Sequence, residues 1–230
     1  MTLNLRGELI PDDWAELYRM FGFNDGFYCP RDVRDVLENL GEGEELVLLI
    51  NSVGGNVDAA AEIYSMIARS TNPVRAEIQS LAASAASYFP LACQRVEIAL
   101  PAQMMIHCGS WDVGGNKFDH RWAADQLEAT DNSILDVYCR KCGDKADRDY
   151  LRELMEKETY LTARECLALG LVDAIIGEEA EGEPLAIVAS AGHNIVRCMR
   201  TLPDIRELKQ RRDAENWERT ARLRLEQARF

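Results

Sequence analysis

Histidine, the residue most often used for acid–base catalysis, is scarce in this 230-residue chain, which contains only three. Long apolar runs are also missing, since no segment approaches the ~18 apolar residues that a membrane-spanning helix needs. The first residues lack the basic and apolar regions of a signal peptide. We therefore expect a cytoplasmic protein with no membrane partner, in which any imidazole chemistry must use His107, His120 or His193.

Positive charge is in short supply as well. The formal net charge is −13, so the chain would repel phosphate backbones, and we expect no nucleic-acid partner. The seven cysteines form no disulfide framework, and their one C-x-x-C pair, Cys139 and Cys142, has no second pair or nearby histidine to complete a zinc site. The chain also lacks the Gly-x-x-x-x-Gly-Lys-Ser/Thr loop that binds nucleotide phosphates. The sequence predicts no metal and no organic cofactor.

What the sequence does contain is an alternation of apolar runs and helical segments. Residues 46–50 form a continuous apolar run of the kind that parallel sheets bury on both faces. This alternation predicts an α/β fold with helices packed on a parallel sheet. The elements expected after this run are a helix over 57–69, a strand over 74–79, a helix over 81–92, and strands over 96–99 and 104–107.

The second half of the chain is mainly helical. Long helices are predicted over 119–139 and 146–157. A further helix begins after Thr162, with Glu165 at its third position to complete a capping box, and ends at Gly170, before a last strand over 171–176. The domain organisation that we predict is a main domain over 1–177, an acidic linker over 178–202 and a charged helical tail over 203–230.

Two segments could support acyl transfer. Ser84 lies among alanines at the predicted start of a helix, where the N-terminal potential favours developing negative charge. His107 ends an apolar strand, which would hold its ring rigidly. Each also has an ordinary structural interpretation, as a helix-capping serine and as a core histidine. The Gly-x-Ser-x-Gly motif of α/β-hydrolases is absent, and the pair Gly54-Gly55 could either turn the chain or aim an N–H group at an oxyanion.

Taken together, five segments resemble the Clp protease family. They occur in the order that the family shows, at similar spacings, between about residues 45 and 176. The resemblance implies an α/β fold of the Clp protease and crotonase type, a repeated β-β-α superhelix, with 119–139 as a protruding handle helix. The five segments are Asn51–Val57, Ala82–Ala86, Leu100-Pro101 with Met105–His107, Tyr160–Ala163, and Gly170–Asp173.

The resemblance also implies a role for individual residues. Ser84 would be the nucleophile, His107 the general base and Glu158 the acid, at a position where better-known members of the family carry Asp. Because of this substitution, three reserve candidates for the acid are kept. The N–H groups of Gly55 and Ala85 would form the oxyanion hole, and the substrate would lie beside Gly54 and Val57. The reserve acids are Asp112, Asp119 and Asp125.

The implied activity is that of a serine endopeptidase, either independent of ATP or assisted by a separate ATP-driven unfoldase. The implied assembly is a homo-oligomeric ring, a heptamer or a stacked double ring. Residues 6–9, Trp14 and the C-terminal extension resemble the bacteriophage and prophage members that mature phage heads. The substrates would then include capsid or scaffold proteins, in a bacterial or phage-infected cell.

Two alternatives of other kinds remain open. One is an acyl-CoA hydratase or isomerase of the crotonase type, which also uses backbone N–H groups but takes its catalytic acids from Glu or Asp. The other is a catalytically inactive ring that serves as an assembly scaffold or chaperone, favoured by the substitution at Glu158. A Ser–Lys dyad is disfavoured, because no lysine lies between Glu77 and Asn116.

Overall fold

Seven helices and a nine-stranded sheet make up the fold in the computed structural model, which describes residues 1–178 and 190–191. The predicted tail, 203–230, lies outside the described residues. The strands are β1 (Thr2–Leu9), β2 (Phe27–Tyr28), β3 (Leu46–Gly55), β4 (Val74–Ala83), β5 (Arg95–Ala99), β6 (Gln103–Ile106), β7 (Thr159–Thr162), β8 (Ala174–Ile176) and β9 (Ser190–Ala191). The helices are α1 (Asp12–Met20), α2 (Pro30–Glu38), α3 (Val57–Arg69), α4 (Ala85–Tyr88), α5 (Lys117–Cys142), α6 (Arg148–Glu156) and α7 (Ala163–Leu169).

The sheet is mainly parallel, which confirms the predicted α/β class. Its strands follow the order β2-β1-β3-β4-β6-β7-β9, and β5 and β8 branch from β4. Strand β7 runs antiparallel to both β6 and β9, an arrangement that the alternation of elements did not predict. Strand β9 lies inside the predicted linker 178–202, and its two residues pair with β7.

The sheet divides at β4. The first half of this strand, Arg75–Ile78, pairs with β5, and the last three residues, Leu81–Ala83, pair with β6. Both pairings are parallel, so the residues that follow β4 and β6 emerge at the same edge of the sheet. Ser84 follows β4, and His107 follows β6. The division therefore brings the two segments together.

The main core lies between the sheet and its helices. Leu46, Leu48 and Ile50 of β3 are fully buried, while the residues between them are half-buried. The continuous apolar run of β3 predicted that both faces of the strand would be buried. In the structure only one face is completely buried. Helix α3 contributes Ile63 and Ile67 to the same core.

The helix predicted over 81–92 is the clearest difference from the sequence-based expectation. Strand β4 continues to Ala83, and only the four residues of α4 are α-helical before a 3-10 turn over Phe89–Ala92. Alanine favours helices, but pairing with β6 holds 81–83 in the sheet. Tertiary contacts outweigh the local preference here.

Helix boundaries set by caps agree better with the sequence. Helix α7 has the predicted capping box between Thr162 and Glu165, and Gly170 ends it in the left-handed conformation. Helix α5 is longer than predicted, because Asn116 caps its start and Gly143 ends it. None of the described helices is long and apolar enough to cross a membrane.

Candidate active site

Ser84 sits at a strained turn between β4 and α4. Its backbone has φ 55° and ψ −128°, a conformation that side-chain-bearing residues rarely adopt. Only one other non-glycine residue in the described part of the chain has a positive φ, and that residue is Glu158. Backbone strain of this kind is typical of functional sites, and here it falls on two residues that the sequence singled out.

His107 lies directly against Ser84. Its Nε2 is 2.7 Å from the Ser84 Oγ, a normal length for a strong hydrogen bond to a hydroxyl. Both side chains are half-buried. The Ser84 N–H donates to the carbonyl of Met105 at 2.9 Å, so the serine is also tied to the strand that ends beside His107. The structure therefore joins the two segments by main-chain and side-chain hydrogen bonds.

The environment of His107 keeps its ring uncharged. Burial lowers the pKa of His107 below its usual value of 6.5, although the nearby carboxylates of Glu158 and Asp131 act in the opposite direction. An imidazole with a lowered pKa is neutral at pH 7 and can accept a proton. The geometry and the charge state of this pair both suit the removal of the hydroxyl proton of Ser84.

Glu158 reaches this region through the antiparallel strand β7. Its neighbour Thr159 pairs with Ile106, the residue before His107, and the Thr159 Oγ1 donates to the buried carbonyl of Leu154 at 2.7 Å. The Glu158 side chain is exposed. Within residues 1–178, its carboxylate acts on His107 through charge and not through a hydrogen bond.

Asp131 is a second carboxylate at the site, and the sequence analysis did not identify it. It projects from α5, and its Oδ1 accepts the Gly109 N–H at 2.6 Å. Its charge also acts on His107. A half-buried aspartate in the middle of a helix carries no motif, so only the tertiary contact reveals it.

The three reserve acids lie elsewhere. The Asp119 Oδ2 accepts the Asn116 N–H at 2.8 Å, which completes the capping box of α5. Asp112 and Asp125 are exposed, and neither is among the charges that act on His107. Glu158 and Asp131 are therefore the carboxylates that the structure brings to the imidazole.

The end of β3 packs tightly against Ser84. A side-chain carbon on Gly54, whose φ is +86°, would lie 2.5 Å from the Ala83 carbonyl oxygen and 2.7 Å from the Ser84 Cβ. Only glycine can occupy this position. Gly55 has its α-carbon against β1 instead, since a side-chain carbon there would lie 2.1 Å from the Leu9 oxygen.

A buried hydroxyl holds this glycine segment in place. The Ser52 Oγ accepts from the Gly54 N–H at 3.0 Å and from the Tyr28 hydroxyl at 2.9 Å, and it donates to the Gly7 carbonyl at 2.7 Å. Strands β1, β2 and β3 are thereby fastened together beside the site. Sequence reasoning noted the serine only as part of a motif and did not anticipate its partner Tyr28.

The remaining predicted residues, Ala85 and Val57, are each the first residue of a helix. Ala85 is buried and begins α4. Val57 begins α3, and its carbonyl accepts the Tyr88 hydroxyl at 2.6 Å. Burial raises the pKa of Cys108 to about 11, so this neighbour of His107 stays a thiol and is a poor nucleophile. Within the described residues, no group of three or more His, Cys, Asp or Glu could hold a metal ion.

Known proteins with similar sequences match the part of the chain that builds this site. The family model for Clp protease matches residues 35–179. The chain is 33% identical over 144 residues to the ATP-dependent Clp protease proteolytic subunit 1 of Chlamydia abortus, covering 61% of this chain and 74% of the relative. It is 29% identical over 148 residues to the ATP-dependent Clp protease proteolytic subunit of Deinococcus radiodurans, covering 64% and 72%.

The matched region includes all five segments on which the resemblance was based. It begins within α2, so β1, α1 and β2 lie outside it. The strands that deliver Ser84 and His107 both lie inside it. The family model covers well over half of the 230 residues, and the chain belongs to the Clp protease family.

Proposed function

We propose that this protein is a serine endopeptidase in which Ser84 is the nucleophile and His107 the general base. The observation that carries the proposal is the 2.7 Å hydrogen bond between the His107 Nε2 and the Ser84 Oγ. It joins a serine in a strained conformation to an imidazole whose pKa is lowered by burial. These are the features that activate a hydroxyl for attack.

The reaction proceeds by acyl transfer. Neutral His107 takes the Ser84 proton while the Oγ forms a bond to the carbonyl carbon of a peptide, and the carbonyl oxygen becomes an oxyanion. The imidazolium then gives that proton to the leaving amine as the C–N bond breaks. Water attacks the acyl-enzyme with His107 again as the base, which releases the acid and restores Ser84. Each step uses only groups of the chain, the peptide and water.

The N–H groups of Ala85 and Gly55 are the proposed oxyanion donors. The Asn56 N–H points toward β1, where it donates to the Leu9 carbonyl at 2.8 Å. Gly55 is exposed, and the Gly54 N–H is already bound to Ser52. A peptide substrate would lie beside Gly54 and Val57.

Glu158 is the proposed third member of the triad. Its carboxylate raises the pKa of His107, so it stabilises the imidazolium that forms when the serine attacks. The antiparallel pairing of β7 with β6 supports this role, because it places the residue after Glu158 opposite the residue before His107. Asp131 adds a second negative charge from α5.

A homo-oligomeric ring, as a heptamer or a stacked double ring, is the proposed assembly. Helix α5, the proposed handle, supports this with exposed aromatic side chains in its first turns and beside it: Trp122 is 55% exposed and Phe118 65%. The ring of Trp111 stacks edge-on against Trp122 at 5.4 Å between centroids. Such exposed aromatic surface is typical of protein contacts.

The proposed partners are a separate unfoldase and the protein substrates. The relatives are named as proteolytic subunits of an ATP-dependent protease, which supports a separate ATP-driven unfoldase as a partner. The resemblance to phage and prophage members supports capsid or scaffold proteins as substrates. Cleavage of a candidate scaffold protein with and without an unfoldase would distinguish the two modes.

Labelling with a fluorophosphonate probe tests the central proposal. Wild type, Ser84→Ala and His107→Ala would be compared by intact mass and by the second-order rate constant of labelling. We expect one adduct on wild type, none on Ser84→Ala, and a rate at least ~100-fold lower for His107→Ala. No adduct on assembled wild type would contradict the proposal and favour the inactive ring or the crotonase-type activity.

A further inference from the structure

A buried chain of hydroxyl groups connects the long helix α5 to the main chain of Ser84. The Tyr138 hydroxyl lies 2.6 Å from the Ser87 Oγ, and the Ser87 Oγ donates to the Ser84 carbonyl at 2.5 Å. Tyr138 is 1% exposed and Ser87 is fully buried. Neither residue belongs to the nucleophile, the base or the proposed oxyanion donors, so the role of this chain lies outside the proposed mechanism.

The direction of the hydrogen bonds follows from the number of protons. Ser87 has a single hydroxyl proton, and when it goes to the Ser84 carbonyl, Tyr138 must donate to the Ser87 Oγ. In the reverse arrangement the buried Tyr138 proton would have no acceptor among the described residues, which is unfavourable for a hydroxyl that water cannot reach. The order is therefore Tyr138 to Ser87 to Ser84, and α5 supplies the first donor.

This chain acts on the part of Ser84 that is under strain. The Ser84 carbonyl accepts two hydrogen bonds, from the Ser87 Oγ and from the Ser87 N–H at 2.9 Å. On the other side, the Ser84 N–H is fixed to Met105. With both flanking peptide groups fixed, the Cα–Cβ bond has one direction, and rotation about that bond brings the Oγ to 2.7 Å from the His107 Nε2.

We propose that Tyr138 and Ser87 are positioning residues for the nucleophile, through which α5 holds Ser84 in its strained conformation. The proposal rests on the proposed function of Ser84. Neither residue touches the reacting atoms, so the expected effect is on the placement of the Oγ and not on the pKa of His107. A small displacement of a nucleophile is enough to slow attack substantially.

The test compares Tyr138→Phe, Ser87→Ala and the double variant in the full-length protein. The second-order rate constant of fluorophosphonate labelling at Ser84 is measured as a function of pH. We expect each single variant to label about 10-fold more slowly than wild type, because the oxygen drifts from its aligned position. The double variant should be no slower than the single variants, because all three break one chain. The midpoint of the acid limb should stay where it is in wild type.

Stability provides a second readout. Ser87→Ala leaves the Tyr138 hydroxyl buried without an acceptor, whereas the double variant removes that hydroxyl as well. We therefore expect the double variant to be more stable in urea than Ser87→Ala alone. A double variant is usually less stable than either single variant, because the losses of stability from independent packing defects add. The opposite order is expected only when the two residues are hydrogen-bonded to each other.

Ile134→Val is the matched control. Ile134 lies one turn before Tyr138 on α5 and belongs to the same core, with 8% exposure. Removing one methylene lowers stability only modestly and leaves the hydroxyl chain intact. We expect labelling of this variant at the wild-type rate.

Each result separates the proposals. Wild-type rates in both Tyr138→Phe and Ser87→Ala would overturn the positioning role and leave the proposed nucleophile in place. An equal loss in Ile134→Val would also overturn it, because the effect would then be general loosening of α5. Absence of labelling in wild type would overturn both proposals. If Tyr138→Phe fails to fold, Ser87→Ala decides the question, since it breaks the same chain at the hydroxyl that contacts Ser84.

Discussion

Two turns of this molecule have almost the same backbone conformation, but one is occupied by a glycine and the other by a residue with a side chain. Gly143, at the end of α5, has φ 57° and ψ −130°, and Ser84 has φ 55° and ψ −128°. A side chain on Gly143 would meet nothing within 4 Å, so the glycine is needed there only for its backbone freedom. At Ser84 the same conformation is held by a residue for which it costs about 1–3 kcal/mol.

The difference shows where the fold accepts strain. Hydrogen bonds from Ser87 and to Met105 fix both peptide groups of Ser84, and the turn at Gly143 needs no such support. A glycine at Ser84 would relieve the strain but remove the hydroxyl. Glu158, with φ 50°, repeats the pattern at a second residue of the proposed triad. Among the non-glycine residues that the structure describes, a positive φ thus occurs only at two residues with a proposed chemical role.

The largest expected effect comes from Gly54→Ala, which removes the space that the Ser84 turn requires. The new methyl group would lie 2.5–2.8 Å from atoms of Ala83, Ser84 and Ala85. We expect labelling to fall at least ~100-fold, because the nucleophile must move, and stability to fall by about 1–3 kcal/mol. Labelling kinetics and urea unfolding measure the two losses.

Gly22→Ala is the control for that variant. Gly22 has nearly the same φ, +82°, but a side chain there would meet nothing within 4 Å. We expect this variant to lose only about 1 kcal/mol of stability, from backbone strain, and to keep the wild-type labelling rate. Similar losses of activity in the two variants would mean that contact with Ser84 is not the reason for Gly54.

The next effect concerns the charge at Glu158. In Glu158→Gln the imidazolium loses a stabilising carboxylate, so we expect labelling to slow about 10-fold, which corresponds to about 1.4 kcal/mol. Glu158→Asp keeps the charge at the strained position and should retain most of the rate. An equal loss in both variants would assign the effect to the backbone of residue 158, and no loss would favour Asp131→Asn as the variant to examine.

The pH profile of labelling shows whether Glu158 raises or lowers the pKa of His107. His107 must be neutral to act as a base, and burial lowers its pKa, so the acid limb of wild type should have its midpoint below pH 6.5. Glu158 raises the pKa of His107, so the midpoint should move to still lower pH in Glu158→Gln. A midpoint that moves upward in this variant would contradict the assigned interaction.

Ser84→Gly and Ser84→Ala measure the strain directly. Both variants lose the proposed nucleophile, but only glycine adopts the local conformation without a steric penalty. We expect Ser84→Gly to be more stable than Ser84→Ala by about 1 kcal/mol in urea unfolding. Equal stabilities would break the comparison with Gly143, because they would mean that the turn costs serine nothing.

Gly143→Ala should have the smallest effect. The substitution places a residue with a side chain at the end of α5 in the same backbone conformation as Ser84, and the new methyl group contacts nothing. We expect it to lower stability by about 1 kcal/mol and to leave the labelling rate unchanged. Its loss should match the gain of Ser84→Gly over Ser84→Ala in size. A change in the labelling rate would reveal that the end of α5 influences the site in another way.

The features that could be predicted from sequence are those with local causes. The capping box of Thr162 and Glu165, the stop at Gly170 and the bounds of α3 follow from nearby side chains, and all are present. The proximity of Ser84 and His107 followed from a family resemblance rather than from the residues themselves.

The features that could not be predicted depend on the tertiary structure. The strand character of residues 81–83 comes from pairing with β6, against the helical preference of alanine. Asp131 and Tyr138 carry no motif, and they gain their contacts with Gly109 and Ser87 only when α5 packs against this part of the fold. The donors and acceptors of these hydrogen bonds, and the charges that act on His107, depend on distances that exist only in the folded protein.

The division of the sheet at β4 also joins two site residues that are close together in the sequence. The hydrogen-bonded pair of Ser84 and His107 is separated by only 23 residues, so closing the loop between them is inexpensive. Glu158 and Tyr138 follow much later in the chain. During synthesis from the N-terminus, a partly made chain therefore contains the serine and the histidine before it contains the helix proposed to position the serine and the carboxylate proposed to assist the histidine.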